Sequence, residues 1–389
     1  MILVSVIGDF ITNVTPMIFE FKDKISKHVL VYDDAMYEER KVERVREAID
    51  YINGRYGLAI EQYESRIDED SKADIDMLTE ELFGFSENPS DLYLNATDGP
   101  ANIAIFLSSA ILNRNGKVIV YDNMDNTYNL IYKNNMRNIR LGQKMNVKDY
   151  CNLMGMKILD YTRKKDIKRN KKQVVHLFRS YGSFNKVRRA LSEGNSRFPY
   201  DQYAPLMHDL QALGVVDKKH NLLDRNYLYG GMFEEYIYFL IKRLDFDDIM
   251  VNVVVEMDHL GGASVKNEFD ILMMKDNHPY IIECKHKRNL NGDNIVYKYD
   301  AISDDMGPDS KVMIVNISDK PKIKYKNRNI SSSFSRGNIN RALLHDIDIY
   351  HEARINEKKF LKRVKRFFGV NMKPKIVEEA DEAGLRDNG

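Results

Sequence analysis

Apolar runs and helical segments alternate regularly over the N-terminal third of the chain. Short runs of buried-type residues, which predict strands, are separated by segments whose apolar positions recur at helical spacing. The predicted strands cover residues 2–7, 29–32, 58–63, 91–95 and 117–121. The intervening helices begin near Pro16, Tyr37, Asp74 and Pro100. This order predicts an α/β domain with a parallel, doubly wound sheet, which would bind ligands at the carboxyl ends of its strands.

Two loops at these strand ends have the composition of an anion site. Residues 8–13 follow the first predicted strand, and residues 95–102 follow the fourth. Small and hydroxyl side chains at the start of a helix leave backbone N–H groups free for a phosphate. The alternative is a plain N-cap, in which Thr97 or Asp98 accepts from the helix backbone. Composition alone favours the N-cap.

A second pattern, of apolar runs interrupted by charges, covers residues 268–288. Residues 269–274 and 280–284 are apolar and flank a polar segment, which predicts a β-hairpin. Asp270 then lies early on the first strand. Glu283 and Lys285 share one face of the second strand, because strand side chains alternate. Burying such charges is costly unless they pair or bind a metal.

Two carboxylates and a lysine in this arrangement suit metal-assisted phosphodiester hydrolysis. Asp270 and Glu283 would bind Mg²⁺ or Mn²⁺ through oxygen, and Lys285 would position the attacking water or offset charge on the phosphate. The spacing D-x12-E-x-K resembles the core motif of the PD-(D/E)xK nuclease superfamily. An exposed hairpin with incidental charges is the alternative interpretation.

The elements around the hairpin occur in the order of that nuclease core. Residues 230–237 open an amphipathic helix and resemble the G-x-x-F-E start of the superfamily's first helix. That resemblance implies that Glu234 reaches the metal, directly or through water, and Glu235 is the competing candidate. A glutamate is also favoured near any helix N-terminus by the helix dipole. The remaining predicted elements are a strand over 250–257, a helix over 295–306 with Lys298 and Tyr299 as candidate contacts, and a strand over 311–317.

Length, charge and cysteine content narrow the class of protein. The 389 residues allow two or three domains. Lys and Arg number 59 against 58 Asp and Glu, so any nucleic-acid surface must be local. Cys151 and Cys284 lack metal-ligand spacing, and we expect no disulfide and a reducing compartment. No apolar run reaches the length of a membrane span, so we expect a soluble cytoplasmic protein.

Basic segments and a winged-helix pattern lie outside these motifs. Residues 163–172 are dense in lysine and arginine, and residues 357–368 predict an amphipathic helix with one basic face. Both could contact nucleic acid, although a solvated helix face is the alternative. Helices over 174–191 and 203–213, followed by a hairpin over 214–223, resemble a winged helix. The polar residues 320–336 predict a flexible loop.

Together these features resemble the CRISPR-associated Rossmann fold (CARF) nuclease effectors of type III systems. The loop Thr97-Asp98-Gly99-Pro100-Ala101-Asn102 keeps the threonine and one glycine of that family's T-G-G-T-K-type loop but lacks its lysine. The resemblance implies a Rossmann-like CARF domain over 1–145, a winged-helix-like linker over 146–228, a nuclease domain over 229–372 and a flexible tail over 373–389. It also implies that a cyclic oligoadenylate binds across a two-fold axis to Thr12, Asn13, Thr97, Asp98, Gly99 and Asn102.

The function expected from this resemblance is that of a homodimeric, ligand-gated endonuclease. Cyclic tetra-adenylate would activate metal-dependent cleavage of single-stranded DNA or RNA in antiviral defence. Asp270, Glu283 and Glu234 would hold the metal, and His286, Lys287 and Arg288 could hold phosphate beside it. Two alternatives stay open: a restriction-type or repair-type nuclease that acts on duplex DNA without a second messenger, and a non-enzymatic ligand sensor. The presence of both carboxylates and the lysine argues against the sensor.

Overall fold

Two sheets, each covered by helices on both faces, organise the chain. The computed structural model describes residues 1–8, 11–33, 39–68, 71–258, 264–286, 290–307, 310–318, 322–325, 328–331 and 333–373. Within these ranges no helix is both long and apolar enough to cross a bilayer. Cys151 and Cys284 are buried free thiols, as the sequence predicted.

The N-terminal sheet has seven strands in the order β3-β2-β1-β4-β5-β6-β7. Its strands are β1 Ile2–Val6, β2 Lys27–Asp33, β3 Glu61–Ile67, β4 Leu92–Asn95, β5 Lys117–Asp122, β6 Thr127–Tyr132 and β7 Asn135–Arg140. The strands from β1 to β5 are parallel, as predicted. The antiparallel hairpin β6–β7 was not predicted, because β7 is almost wholly exposed and carries no apolar alternation.

Helices cover both faces of this sheet. The first face packs against α1 Thr15–Phe21, α2 Glu39–Tyr56 and α5 Val147–Leu153; the second packs against α3 Lys72–Gly84 and α4 Ala101–Asn113. The central strand β1 shows why: Leu3 joins the first apolar cluster, whereas Val4 joins the second. A strand buried on both faces reads as a continuous apolar run, which is what the sequence shows at this position.

The C-terminal sheet has six strands in the order β15-β12-β11-β10-β9-β8. Its strands are β8 Met156–Thr162, β9 Asp248–Asp258, β10 Ser264–Lys275, β11 His278–Lys285, β12 Lys311–Ile317 and β15 Ile347–Glu352. The pair β10–β11 is the predicted hairpin. Its turn is Asp276-Asn277, with φ angles of 48° and 66°, as a type I′ turn requires.

Three details of this half differ from the sequence predictions. Asp270 lies in the second half of its strand rather than early on it, because β10 extends back through polar residues to Ser264. The helix predicted over 174–191 is two helices that meet at Ser180. Part of the loop predicted over 320–336 is a hairpin, made of β13 Lys322–Tyr325 and β14 Arg328–Ser331.

Helices also sandwich the C-terminal sheet. One face packs against α6 Lys164–Arg179, α7 Tyr181–Ser192, α8 Ala204–Ala212, α9 Met232–Ile241 and α12 Glu357–Phe368. The other face packs against α10 Gly292–Asp305, α11 Arg336–Leu344 and α5. The hairpin predicted over 214–223 is reduced to a single bridge between Val216 and Leu222. Strand β8 lies within the segment predicted as linker, 146–228, yet it pairs with β9.

The turn of the β10–β11 hairpin is hydrogen-bonded into the N-terminal domain. The Asn277 side chain accepts from Met145 N at 2.7 Å and donates to Asn126 Oδ1 at 3.2 Å. His278 Nε2 lies 2.7 Å from Asn123 O. Asn277 and His278 are both buried. The strands that carry the nuclease motif are therefore anchored to the domain that carries the ligand loops.

Candidate active site and ligand loops

Asp270, Glu283 and Lys285 converge as the sequence predicted. Lys285 Nζ lies 3.4 Å from Asp270 Oδ2 and forms an ion pair with Glu283 Oε1. The side chains of Asp270 and Glu283 are only 9% and 4% exposed, against 27% for Lys285. Asp270 Oδ2 also accepts from the backbone N–H of Cys284 at 2.7 Å. The ammonium thus bridges two buried carboxylates at the open edge of the cluster.

An irregularity in the sheet accompanies Asp270. The β9–β10 ladder pairs Phe269 with Val253 and Ile271 with Val251, and it omits the position of Asp270. Asn252, on the opposite strand, has a φ of 53°. Such interruptions of a ladder redirect a side chain and are frequent beside active sites.

Tyr299 holds the second carboxylate from the neighbouring helix. It lies on α10, is fully buried, and donates its hydroxyl to Glu283 Oε2. Burial and then the negative charge of Glu283 raise the pKa of this phenol well above its usual value, so it stays a donor. From the sequence we predicted Tyr299 only as a candidate contact, because a tyrosine at helical spacing does not indicate its partner.

Burial and mutual repulsion govern the acid groups of the site. Burial, followed by the charge of Glu283, raises the pKa of Asp270 to about 7. Burial, followed by the charge of Asp270, raises the pKa of Glu234 to about 8. Burial alone would lower the pKa of Lys285, but the charges of Glu283 and Asp270 raise it overall. The cluster therefore concentrates negative charge that a cation would stabilise.

The two adjacent glutamates of α9 face different surroundings. Glu235 accepts from Tyr227 Oη at 2.8 Å and from Asn170 Nδ2 at 3.2 Å, so it ties α9 to α6. Glu234 instead lies where the charge of Asp270 acts on it. Of the two, Glu234 is the one directed at the cluster.

The donor set suits a hard divalent cation held by two carboxylates. Mg²⁺ is usually bound by one or two carboxylates and keeps several waters, which matches Asp270 and Glu283. Within the described parts of the chain, no three His, Cys, Asp or Glu side chains are placed to hold one metal ion together. Glu234 as a ligand therefore stays a prediction, and a contact through water is the form that this arrangement favours.

The sequence did not predict the partners of two buried polar side chains near the cluster, His286 and Arg188. His286 Nε2 lies 2.8 Å from Tyr181 Oη on α7, and its Nδ1 is buried without a partner among the described residues. Arg188, also on α7, is 8% exposed, covers the Tyr229 ring at 4.9 Å and leaves Nη1 unpaired within the same ranges. No motif marks Arg188 in the sequence. Lys287 and Arg288 lie outside the described residues.

The two candidate ligand loops meet at the point where the order of the N-terminal sheet reverses. They follow β1 and β4, which are neighbours in that sheet, and such switch points are the usual ligand sites of doubly wound folds. A Cβ on Gly8 would lie 2.5 Å from Gly99 N, and Gly99 itself has a φ of +91°. Asn95 Nδ2 donates to Asn13 O at 3.0 Å. Glycine at both positions allows this close backbone contact.

The plain N-cap alternative for the second loop is not what the structure has. Thr97 Oγ1 donates to Asn95 and accepts from Tyr121 N at 2.8 Å, so it supports the loop rather than the helix. The residue before α4 is Pro100, and no side chain caps the helix there. Among the described residues no side chain caps the first backbone N–H groups of α4, which lie beside Asp98, Gly99 and the exposed Asn102. Within the first loop, Asp9 and Phe10 are outside the described residues.

One helix connects the ligand loop to the acid cluster. A Cβ at Gly307 would lie 3.1 Å from Thr12 Cγ2, and Gly307 closely follows α10. Tyr150 Oη, on α5, donates to Met306 O at the same helix end. Thr12 Oγ1 is buried without a partner among the described residues. The helix that carries Tyr299 therefore ends against a predicted ligand-binding residue.

Comparison with known proteins agrees with this geometry. Residues 223–331 match the model of the Card1-like endonuclease domain. This segment is similar to the Card1-like endonuclease domain. Asp270, Glu283 and Lys285 all lie within the matched segment, as does Glu234. No curated protein sequence matches the chain significantly.

Solved structures share the fold of the whole chain. Can2 from Sulfobacillus thermosulfidooxidans, solved with cyclic tetra-adenylate, superimposes with a TM-score of 0.67 at 17% identity over 94% of this chain and 98% of that one. Protein VC1899 from Vibrio cholerae gives 0.69 at 16% identity over 95% and 98%. Together with the Card1-like endonuclease domain, this layout confirms the resemblance to CARF nuclease effectors and the fold class inferred from the sequence.

Replacing Tyr299 by phenylalanine tests how Glu283 is held. We expect Y299F to fold but to cleave about ten- to a hundredfold more slowly, because a hydrogen bond to a charged group contributes about 1.5–3 kcal/mol. Initial rates with Mn²⁺, together with melting temperatures, provide the measurement. Tyr297 lies on the same helix and is 54% exposed, so Y297F is the matched control. Full activity in Y299F would show that Tyr299 does not position Glu283.

Proposed function

We propose that this protein is a metal-dependent endonuclease activated by a cyclic oligoadenylate, most simply cyclic tetra-adenylate, and that it cleaves single-stranded DNA or RNA. One observation carries the proposal: the buried cluster of Asp270, Glu283 and Lys285 is supported by a helix whose end contacts the predicted ligand loop. The fold shared with Can2, which was solved with cyclic tetra-adenylate, supports the choice of ligand.

The residues of the cluster divide the chemistry among them. Asp270 and Glu283 would hold Mg²⁺ or Mn²⁺, which when bound activates water and stabilises charge on the phosphate. The Cys284 N–H orients Asp270, and the Tyr299 hydroxyl orients Glu283. Lys285 stays protonated beside two carboxylates, so its ammonium can orient the attacking water or offset charge on the leaving oxygen.

Phosphate binding has further candidate donors beside Lys285. The unpaired Nη1 of Arg188 and Nδ1 of His286 belong to one cluster with Tyr181, and a buried cation without a carboxylate partner gains free energy from an anion. The described charges acting on Arg188 come from tyrosines and from Arg189, not from carboxylates. Because both atoms are buried, a phosphate oxygen of the substrate would reach them only after a local rearrangement, and it is the anion we assign to them.

The ligand would bind between two copies of the N-terminal domain. On α4, next to the second loop, Ile105 and Phe106 are 65% and 48% exposed. An apolar patch of this kind is suited to a self-complementary contact, in which two α4 helices pair about a two-fold axis. The open N–H groups at the start of each α4 would then face the ring phosphates from both sides.

Activation would pass through α10. A ligand that reorganises the loop around Thr12 would act on the chain at Gly307, because the two segments pack so closely that a Cβ at Gly307 would lie 3.1 Å from Thr12 Cγ2. Met306 is tethered by Tyr150, and Tyr299 on the same helix holds Glu283. A small displacement of α10 would therefore change the position of Glu283, and we propose that this couples the ligand loop to the acid cluster.

Isosteric changes in the cluster test the catalytic assignment. D270N and K285M should each lower ligand-stimulated cleavage by about a thousandfold or more, since each removes an interaction worth several kcal/mol to the transition state. Binding of cyclic tetra-adenylate, measured by thermal shift, should be unchanged. K266M, at an exposed position on β10, is the matched control and should cleave normally. Retained cleavage in both cluster variants would exclude the assignment.

Removing the tether at the end of α10 tests the activation route. Y150F loses the hydrogen bond to Met306 O, so we expect cyclic tetra-adenylate to bind within about twofold of normal but to stimulate cleavage at least tenfold less. Titration of the cleavage rate with ligand separates the two effects. Y161F, which alters an exposed tyrosine paired with Lys148 of α5, is the control. An unchanged stimulation ratio in Y150F would contradict a route through α10.

A further inference from the structure

Two basic segments that are far apart in the sequence line adjoining grooves. The basic residues of α6 line one groove of about 640 Å³, and those of α12 line another of about 780 Å³. Arg243 and Glu357 line both grooves, so the two are continuous. The exposed cations that line them include Lys168, Lys171, Lys172, Lys358, Lys362 and Arg366. We call this combined surface the basic groove.

The charged side chains that line the basic groove are almost all cationic. Glu357 is the only acidic residue among the described residues that line it. Its carboxylate is already engaged by Arg179 Nε at 3.0 Å and Arg243 Nη1 at 3.9 Å. The whole chain is nearly neutral, with a net charge of +1, so this surface is a local concentration of cations.

The spacing of these cations is costly for the helices that bear them. Lys168 and Lys172 lie four residues apart on α6, and Lys358, Lys362 and Arg366 form a similar row on α12. Like charges at this spacing repel and destabilise a helix. A merely solvated face usually mixes both signs, which would avoid the repulsion. Two such rows on one surface indicate a polyanionic partner.

The basic groove lies next to the acid cluster, on the opposite side of α9. Phe239 and Leu240 of α9 line it, and Tyr236 Oη lies 3.5 Å from Glu357. Glu234, on the other side of the same helix, is directed at Asp270. The two sites therefore lie on opposite sides of one helix, which is roughly 10 Å across. A strand longer than the active site can reach the basic groove.

We propose that the basic groove binds backbone phosphates of a single-stranded nucleic acid outside the bond that is cleaved. This rests on the proposed nuclease function only for the identity of the strand as substrate. The groove would read no sequence, because contacts from lysine and arginine to backbone phosphates carry no sequence information. It would favour long strands over short ones and would act in a salt-dependent manner.

The test compares strand lengths in binding and in cleavage. The groove variant K168Q/K172Q/K362Q/R366Q is matched by the control K72Q/K133Q/K218Q/K219Q, which removes the same charge from exposed positions elsewhere. Binding of single-stranded 40-mers and 8-mers is measured without metal in a D270N background. We expect the groove variant to lose at least tenfold affinity for the 40-mer, with a salt slope smaller by about 3, and to keep its affinity for the 8-mer.

Cleavage of the 8-mer separates this proposal from the nuclease assignment. The groove variant should cut the 8-mer at the wild-type rate when cyclic tetra-adenylate and Mn²⁺ are present. If no form of the protein cuts, the nuclease proposal fails, while a selective loss of 40-mer binding would still support the groove. Unchanged 40-mer affinity and salt slope, or an equal loss in the control variant, would overturn the groove proposal. So would a groove that binds polyglutamate or anionic vesicles but no oligonucleotide.

Discussion

Burial of two carboxylates beside one ammonium is the constraint on which the rest of the C-terminal domain depends. Asp270 and Glu283 are almost inaccessible to water, and ionised groups in such a place are stable only if something compensates them. Lys285 supplies a charge, Cys284 an N–H and Tyr299 a hydroxyl. The compensation is partial, since burial and repulsion still raise the pKa of Asp270 and of Glu234. The site therefore lacks positive charge, which a bound cation would supply.

Contacts between the two domains fix the elements that support these carboxylates. Tyr299 can hold Glu283 only if α10 is fixed, and the end of α10 is fixed by Tyr150 and packed against Thr12. The hairpin that carries the acid groups is held at its turn by Asn126 and Met145. The N-terminal apolar cluster continues onto one face of the C-terminal sheet. On the proposed function, a change in the predicted ligand loops would act on elements that support the acid cluster.

The sequence predicted best where a pattern is local and unbroken. Residues 311–317 and 357–368 were predicted with the bounds that the structure has for β12 and α12, because the first is a continuous apolar run and the second has a clear helical period. The hairpin was predicted from two apolar runs about a polar turn, and the site of Asp270, Glu283 and Lys285 was predicted because charges interrupt those runs. Strand β7 was missed because its side chains face solvent, and the break at Ser180 was missed because the apolar period continues across it.

Contacts between distant segments were beyond sequence reasoning. Nothing in the local pattern around Tyr299 indicates Glu283, and nothing around Gly307 indicates Thr12. The N-cap alternative for the second ligand loop was reasonable from composition, but the Thr97 hydroxyl is used by Asn95 and Tyr121 instead. The convergence of the two basic helices on one groove likewise depends on tertiary packing. These are the features on which the proposed regulation and substrate binding depend.

The most direct measurement is the rate at which the unmodified protein cleaves a single-stranded oligonucleotide, with and without cyclic tetra-adenylate, in Mg²⁺ or Mn²⁺ and after chelation. A ligand-gated, metal-dependent endonuclease requires both additions, so cleavage should be strong with ligand and metal together and should be lost when either is withheld. Equal cleavage of duplex DNA with metal alone, or no cleavage when ligand and metal are both present, would contradict it.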